Sequence, residues 1–175
     1  MAFFSYFPKI EYDVRGDGVT TVMTNLTRRT RFRDYIRLNS VNYDFYDVKA
    51  GETPELIANE YYGDPELHWI ILMANNIVDY YTQWPMTVPV FEAYVKEKYE
   101  DVNGIHHYEY SQESGDTTKI IELPNDSATT IPTGATIITN YVHEERIQEK
   151  NGRIRLIQPR FVDGIKKEFK NLMNG

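Results

Sequence analysis

The clearest pattern of hydrophobic and polar positions lies between residues 45 and 100. Residues 46–49 alternate between apolar and polar, which predicts a short strand. Thr53 and Pro54 then begin a helix, because a threonine side chain caps free backbone N–H groups and proline suits the first helical position. Gly63 predicts the end of that helix. Its apolar face is formed, at helical spacing, by Leu56, Ile57 and Tyr61.

A second helix is predicted directly after the first. Asp64 is placed to cap it, and residues 67–73 are apolar except for His68, which predicts a largely buried helix ending at Asn75. A third helix is predicted over residues 90–99, after two prolines. The expected core of this region consists of Leu56, Ile57, Trp69, Ile70 and Leu72.

The N-terminal region, residues 1–44, predicts an extended arm with short strands instead of a self-sufficient core. Gly16-Asp17-Gly18 marks a turn, and residues 19–26, rich in Thr and Val, predict a strand. Four aromatic side chains lie near the start: Phe3, Phe4, Tyr6 and Phe7. Exposed aromatic rings are costly in water, so the arm either folds back on its own domain or docks on another subunit. We predict the second arrangement, with an arm that is dispensable for folding.

The C-terminal region, residues 101–175, is predicted to be mostly β and to end in a helix. Three runs have the composition of strands: residues 104–110, 118–123 and 135–143. Asn151-Gly152 predicts a hairpin turn ahead of an alternating strand at 153–157. The final helix is amphipathic, with an apolar face formed by Val162, Ile165, Phe169 and Leu172.

These elements predict an α+β fold in three domains. An extended aromatic and basic arm covers residues 1–44, a strand-helix-helix module covers 45–100, and a β-rich region with a C-terminal amphipathic helix covers 101–175. The chain has 175 residues, of which 41% are hydrophobic, so it can bury a core.

Charge and composition narrow the function classes. The formal net charge of -7 is the opposite of the basic footprint of a general nucleic-acid binder. No stretch approaches the roughly 18 apolar residues that predict a membrane span, and the first residues lack the pattern of a signal peptide. The absence of cysteine excludes disulfides, thiolate nucleophiles and cysteine-based zinc sites. We therefore expect neither a nucleic-acid nor a membrane partner.

No set of residues in the sequence converges on a reaction. The four histidines are His68, His106, His107 and His143, and there is no His-Glu-x-x-His motif. His106 and His107 are adjacent in a predicted strand, so they should point to opposite faces and not share a metal ion. No Gly-x-Ser-x-Gly elbow and no Gly-rich phosphate loop is present. We predict a non-enzyme with no catalytic residue, no cofactor and no metal.

One basic run interrupts the acidic composition. In a strand, Arg29, Arg31 and Arg33 would share one face. That face could bind phosphates or the carboxylates of a neighbouring chain, and the net charge of -7 favours the carboxylates. A solvated strand face is an equal alternative to carboxylate pairing. With the arm aromatics, these arginines form the predicted partner interface.

Residues 46–58 resemble the opening of a LysM module, a family with a strand, a Gly-Asp/Glu-Thr turn and a helix carrying Ile-Ala. The positions that carry the motif here are Gly51, Thr53, Asp64, Asn75 and Ile77. The family normally adds a second strand with a Leu-x-Ile-Pro-like ending, and after Ile77 this closing strand is either missing or rebuilt. Its sugar groove lies between loops that correspond to residues 50–54 and 77–79. Because the second loop is altered, we expect the motif residues to have a structural role and the glycan loop to be vestigial. Peptidoglycan is therefore not the expected partner.

A narrower resemblance covers most of the chain. Residues 61–72, together with Trp84-Pro85-Met86, are similar to the small LysM-containing baseplate wedge proteins of contractile-tailed bacteriophages. Residues 6–10 and 140–145 add weaker similarity. The resemblance implies a structural subunit of the baseplate wedge, located in the virion tail baseplate and assembled in the host cytoplasm. Its implied partners are other wedge subunits, and copies of itself in the ring that the wedges form. The alternative is a peptidoglycan-binding LysM module of a phage or bacterial protein.

Overall fold

The computed structural model describes residues 3–28, 30, 42–114, 117–126 and 128–174. The strands in this part of the chain are β1 (Lys9–Tyr12), β2 (Thr21–Thr24), β3 (Tyr43–Asp47), β4 (Ile105–Ser114), β5 (Thr117–Pro124), β6 (Thr136–Thr139) and β7 (Arg153–Ile157). The α-helices are α1 (Pro54–Tyr62), α2 (His68–Ala74), α3 (Tyr80–Gln83), α4 (Val88–Lys98), α5 (Asn140–Gly152) and α6 (Val162–Asn174). Short 3-10 helices lie at Phe3–Tyr6, Pro65–Leu67 and Pro159–Phe161. The mixture of helix and strand confirms the predicted α+β class.

The contacts divide the chain into two compact units. One unit contains residues 1–83 together with 153–175, and the other contains residues 84–152. The second unit is therefore an insertion in the sequence of the first. The three predicted domains, with boundaries near residues 44 and 100, stay a prediction, because a group of contacting residues need not fold on its own.

Strand β3 pairs with β7 in an antiparallel ribbon that places Tyr43 opposite Ile157. The predicted hairpin at Asn151-Gly152 is wrong, because these residues are the last two of α5 and the partner of β7 lies far away in the sequence. From the sequence, the strand that closes a LysM module was expected to be missing or rebuilt after Ile77. The strand that pairs with β3 is present, and the inserted unit separates the two in the sequence.

Helix α1 begins and ends where its capping residues predict, whereas the predicted cap Asp64 starts a 3-10 turn and α2 follows at His68. Thr53 Oγ1 accepts a hydrogen bond from the backbone N–H of Leu56 at 3.4 Å, and Gly63 ends α1 with a left-handed φ of 73°. Asp64 Oδ1 accepts from the N–H of Glu66 at 3.0 Å and starts the 3-10 turn that leads into α2. Helix α2 packs on α1 and on β7. Local capping chemistry therefore determines the start of α1 and of the 3-10 turn before α2, whereas α2 itself begins at His68 without a side-chain cap.

The core of this unit is formed by one face of each helix and by β7. Ile57, Trp69 and Ile70 are buried, as predicted. The prediction is wrong for Leu56, which is 52% exposed because its neighbour Ile57 takes the inward position on the helix. It is also wrong for Leu72, which is half-buried because it borders an open cleft. The sequence analysis omitted further buried residues: Ala58, Ile71, Ala74, Ile154, Leu156 and Ile157.

Helix α6 has the predicted amphipathic pattern. Val162, Ile165 and Phe169 are buried. The next buried position is Met173, whereas Leu172 is half-buried, because the apolar face continues four residues after Phe169.

The second unit contains a three-stranded antiparallel sheet in the order β5-β4-β6, with α4 and α5. Strands β4 and β5 and helix α4 confirm predicted elements. The predicted β run at 135–143 is wrong beyond Thr139, where the chain turns into α5. The Thr139 hydroxyl accepts from the N–H of Val142 at 3.3 Å at this helix start. Sequence analysis missed α5 because the helix lacks an apolar stripe, and its buried residue is the charged Glu144.

Candidate functional site

The aromatic residues of the N-terminal arm pack against their own unit. The Phe3 ring centroid lies 5.6 Å from that of Trp69 and 5.7 Å from that of Phe169. The Tyr6 ring meets Phe169 edge-on at 5.7 Å. In these contacts the arm folds back on its own domain, which is the alternative to the predicted docking on another subunit. An arm packed in this way is not expected to be dispensable for folding. Phe4 is 60% exposed, and contact of the arm with a partner stays a prediction.

An apolar cleft of about 610 Å³ lies beside the arm in the same unit. The Phe7 ring lines it and lies 5.1 Å from that of Phe3. Arg28 also lines the cleft and donates from Nη2 to the carbonyl oxygen of Leu172 at 2.9 Å. The arginines predicted to form the basic part of the partner interface, Arg29, Arg31 and Arg33, lie outside the described residues.

Every residue of strands β1 and β2 is exposed. Their connection is held by Asp13, whose carboxylate accepts hydrogen bonds from the backbone N–H groups of Gly18, Gly16, Arg15 and Asp17. These bonds, with that from Gly18 the strongest, hold the pKa of Asp13 below its ordinary value. Gly16 and Gly18 have φ values of 71° and 83°, which favour glycine. The hairpin therefore has a well-formed turn although its strands bury nothing.

One face of the hairpin is mainly apolar and the other is mainly polar. The register places Ile10 opposite Met23, and Tyr12 lies on the same face because side chains alternate along a strand. These three side chains are 39%, 42% and 57% exposed, respectively. The other face includes Glu11 opposite Val22. An isolated two-stranded hairpin is marginally stable in water, and an exposed apolar face marks an interaction surface.

The LysM-like motif residues have structural contacts. Gly51 has a φ of 83° in the turn between β3 and α1. Asn75 Nδ2 donates to the carbonyl oxygens of Ile71 and Arg155, both at 2.9 Å, and Asn75 Oδ1 accepts from the N–H of Arg155 at 2.8 Å. Asn75 thereby joins α2 to β7. Ile77 closes the end of α2 through a backbone hydrogen bond, and Thr53 and Asp64 cap helices as described above.

Three histidines come together in the second unit. His106 and His107 do not point to opposite faces of the strand as predicted, because a bulge between Ile105 and His107 interrupts the pairing of β4 with β6. Their Nδ1 atoms lie 2.8 Å apart. His143, near the start of α5, stacks on His106 with ring centroids 3.7 Å apart. Burial and the imidazoles of His143 and His107 lower the pKa of His106.

An ion pair with a buried carboxylate lies next to this cluster. Glu144 is 2% exposed and accepts from Lys98 Nζ at 2.8 Å and from the hydroxyl of Tyr99 at 2.7 Å. Burial by itself raises the pKa of a carboxyl group. The hydrogen bonds from Lys98 and Tyr99 outweigh that effect, so the pKa of Glu144 is lowered. Nothing in a single sequence distinguishes Glu144 from its neighbour Glu145.

The exposed apolar hairpin is typical of a subunit that works by contact with other proteins. Residues 2–145 match the family model described as base plate wedge protein 53, and the chain belongs to this family. It is also 30% identical over 118 residues to baseplate wedge protein gp53 of Enterobacteria phage T4. The aligned part covers 65% of this chain and 59% of the phage T4 protein, so the chain spans less than two thirds of that relative.

Family membership confirms the resemblance to baseplate wedge proteins that was identified from the sequence. The chain is a baseplate wedge protein of the virion tail, and the alternative of a peptidoglycan-binding module is not favoured. Among the residues that the structure describes, no helix has the length and apolar character needed to cross a bilayer.

Proposed function

We propose that this chain is a non-enzymatic structural subunit that contacts other wedge proteins and helps to join wedges into the baseplate ring. Its family and its similarity to the phage T4 wedge protein support this function. The specific observation behind it is the amphipathic β1–β2 hairpin, whose apolar face is open to solvent.

The hairpin can bind a partner in two ways that act together. Its apolar face, formed by Ile10, Tyr12 and Met23, can be covered by an apolar surface, which removes those side chains from water. Its outer edges can add a strand, since β1 and β2 pair with each other in a sheet of two strands among the described residues. A second wedge protein with an exposed strand and an apolar face would satisfy both requirements.

We also propose that β3, α1, α2 and β7 form a LysM-like module. The order strand, helix, helix and antiparallel strand supports this interpretation. The closing strand and its exit read Leu156-Ile157-Gln158-Pro159, close to the Leu-x-Ile-Pro-like ending of that family. In this proposal residues 84–152 are an insertion before the closing strand, and the module is a scaffold for protein contacts instead of a glycan-binding site.

The assembly function is tested by one substitution on each face of the hairpin. Ile10→Lys should abolish, or weaken by at least about tenfold, the binding of the chain to wedge intermediates that lack it, because a lysine cannot be buried in an apolar interface without a partner. Val22→Lys is the matched control: it also converts a branched apolar residue in the hairpin to lysine, but on the opposite face. It should bind normally. Binding is measured by gradient sedimentation of mixed purified components.

Folding of both variants is checked by thermal melting. Each should melt within a few degrees of the parent chain, because neither side chain is buried. The apolar face would not be part of the interface if Ile10→Lys bound wedge intermediates normally, or if both variants lost the same amount of binding.

A further inference from the structure

We propose that His106, His107 and His143 form a binding site for a divalent transition-metal ion of the zinc type. One potential ligand nitrogen from each imidazole lies within 4.8 Å of the other two. The three residues come from two elements, β4 and α5, so an ion held by them would join the sheet of the second unit to its long helix.

The ligand nitrogens lie near one another, at spacings that a small rearrangement would convert to those of a tetrahedral site. A zinc ion bound at about 2.0–2.1 Å keeps its ligand nitrogens roughly 3.3 Å apart. The Nδ1 atoms of His106 and His107 are 2.8 Å apart, and the ring centroids of His106 and His143 are 3.7 Å apart. The rings of His106 and His143 are nearly parallel, at 9°, so one ring must rotate for both lone pairs to point at the ion. That rotation would change the stacking of His106 on His143, which NMR of the imidazole nitrogens can detect.

The surroundings of His107 match those of a metal ligand. His107 is 7% exposed, and its Nε2 has no hydrogen-bond partner among the described residues. Glu109 Oε1 lies 3.5 Å from this atom and is paired with Arg146. A histidine that binds a metal through one nitrogen usually directs the other N–H at a carboxylate. With Nδ1 on the ion, the Glu109 carboxylate is placed to accept a hydrogen bond from Nε2–H.

The ligand set selects the class of ion. Three imidazoles suit zinc, copper, nickel or cobalt, whereas calcium and magnesium require oxygen ligands. A second group around His107, formed with Glu109 and Glu122, shares this imidazole. It is the weaker candidate, because Glu109 is already paired with Arg146. Three protein ligands leave the remaining position to water.

A bound ion would stabilise a small unit that has no other cross-link. The second unit spans residues 84–152, and the chain has no cysteine for a disulfide. Small units bury a low fraction of their surface, and a structural metal is a common way to compensate. The ion would act by holding β4 and α5 together and not through any reaction.

The test is zinc binding by the full chain, without an affinity tag, measured by isothermal titration calorimetry. The parent chain should bind one zinc ion per chain. His143→Gln should weaken binding by at least about tenfold, since loss of an outer-shell partner alone costs about 10–100-fold. His68→Gln is the matched control, because His68 is the histidine of the first unit and its Nδ1 lies 3.0 Å from the carbonyl oxygen of Pro65. It should bind zinc as the parent does.

A measurement on the unmodified chain keeps the test valid if His143→Gln fails to fold. In side-chain ¹⁵N NMR spectra, zinc should shift the imidazole nitrogens of His106, His107 and His143 and leave those of His68 unchanged. Absence of zinc binding by the parent chain would overturn the proposal. So would binding that His143→Gln retains in full, or a spectrum in which His68 responds and the cluster does not.

Discussion

Ile57→Ala should destabilise the unit formed by residues 1–83 and 153–175 by about 2–5 kcal/mol. The Ile57 side chain is 2% exposed, on the inner face of α1, in a core that also contains Trp69 and Ile70. Truncation removes buried methyl groups and leaves a cavity that the surrounding side chains fill only in part. Leu56→Ala is the matched control on the same helix. Leu56 is 52% exposed, so its truncation should cost about 1 kcal/mol or less.

Each compact unit contains one tryptophan, which allows the two units to be monitored separately. Trp69 lies in the first unit and Trp84 in the second, and both are 3% exposed. Urea unfolding of the alanine variants in a Trp84→Phe background follows Trp69 fluorescence alone. Equal losses for Ile57→Ala and Leu56→Ala would show that the helix register is wrong.

Glu144→Gln should destabilise the second unit by about 1.5–3 kcal/mol, the usual contribution of a hydrogen bond to a charged group. The substitution removes the charge that accepts from Lys98 and from Tyr99 at 2.8 and 2.7 Å. Stranding a fully buried charge would cost about 3–5 kcal/mol. The expected loss is smaller because the Lys98 side chain is 42% exposed and can regain contact with water.

Glu145→Gln is the control for this prediction. Glu145 is the next residue on α5, is exposed, and loses the same charge on substitution. Its effect should stay within about 0.5 kcal/mol, as for most surface substitutions. Urea unfolding in a Trp69→Phe background, which leaves Trp84 as the reporter, measures both variants. If the two variants lose equal stability, the pairing of Glu144 with Lys98 and Tyr99 does not stabilise the unit.

Local features of the fold could be predicted from the sequence because their causes are local. The helix starts at Thr53 and Asp64 and the helix end at Gly63 depend on side chains within a few residues of the backbone groups they satisfy. The amphipathic face of α6 likewise follows from spacing alone. Burial of individual residues was less predictable, since Leu56 and Ile57 are both apolar neighbours and only their packing partners decide which one turns inward.

Features that depend on distant residues could not be predicted. The pairing of β3 with β7 crosses an inserted unit, and a single sequence contains no information on which strand joins which over that distance. The bulge that brings His106 and His107 together is a property of the register of β4 against β6. Helix α5 was missed because the β-branched residues before Asn140 and the Asn151-Gly152 pair both favour β structure.

The candidate interface was predicted only in part. The aromatic arm was identified from Phe3, Phe4, Tyr6 and Phe7, but rings that can dock on a partner can also dock on their own core, and composition does not separate the two outcomes. The apolar face of the hairpin needed the pairing of Ile10 with Met23, which only the register supplies.

The most direct test of the central claim is electron microscopy of particles made when the gene for this chain is interrupted by a stop codon. A structural wedge subunit that joins wedges predicts infected cells with heads and unjoined wedge intermediates, without closed baseplates or contractile tails. Supplying the intact chain in trans should restore tails, and supplying the Ile10→Lys variant should not. Normal baseplates assembled in the absence of the chain would contradict the account.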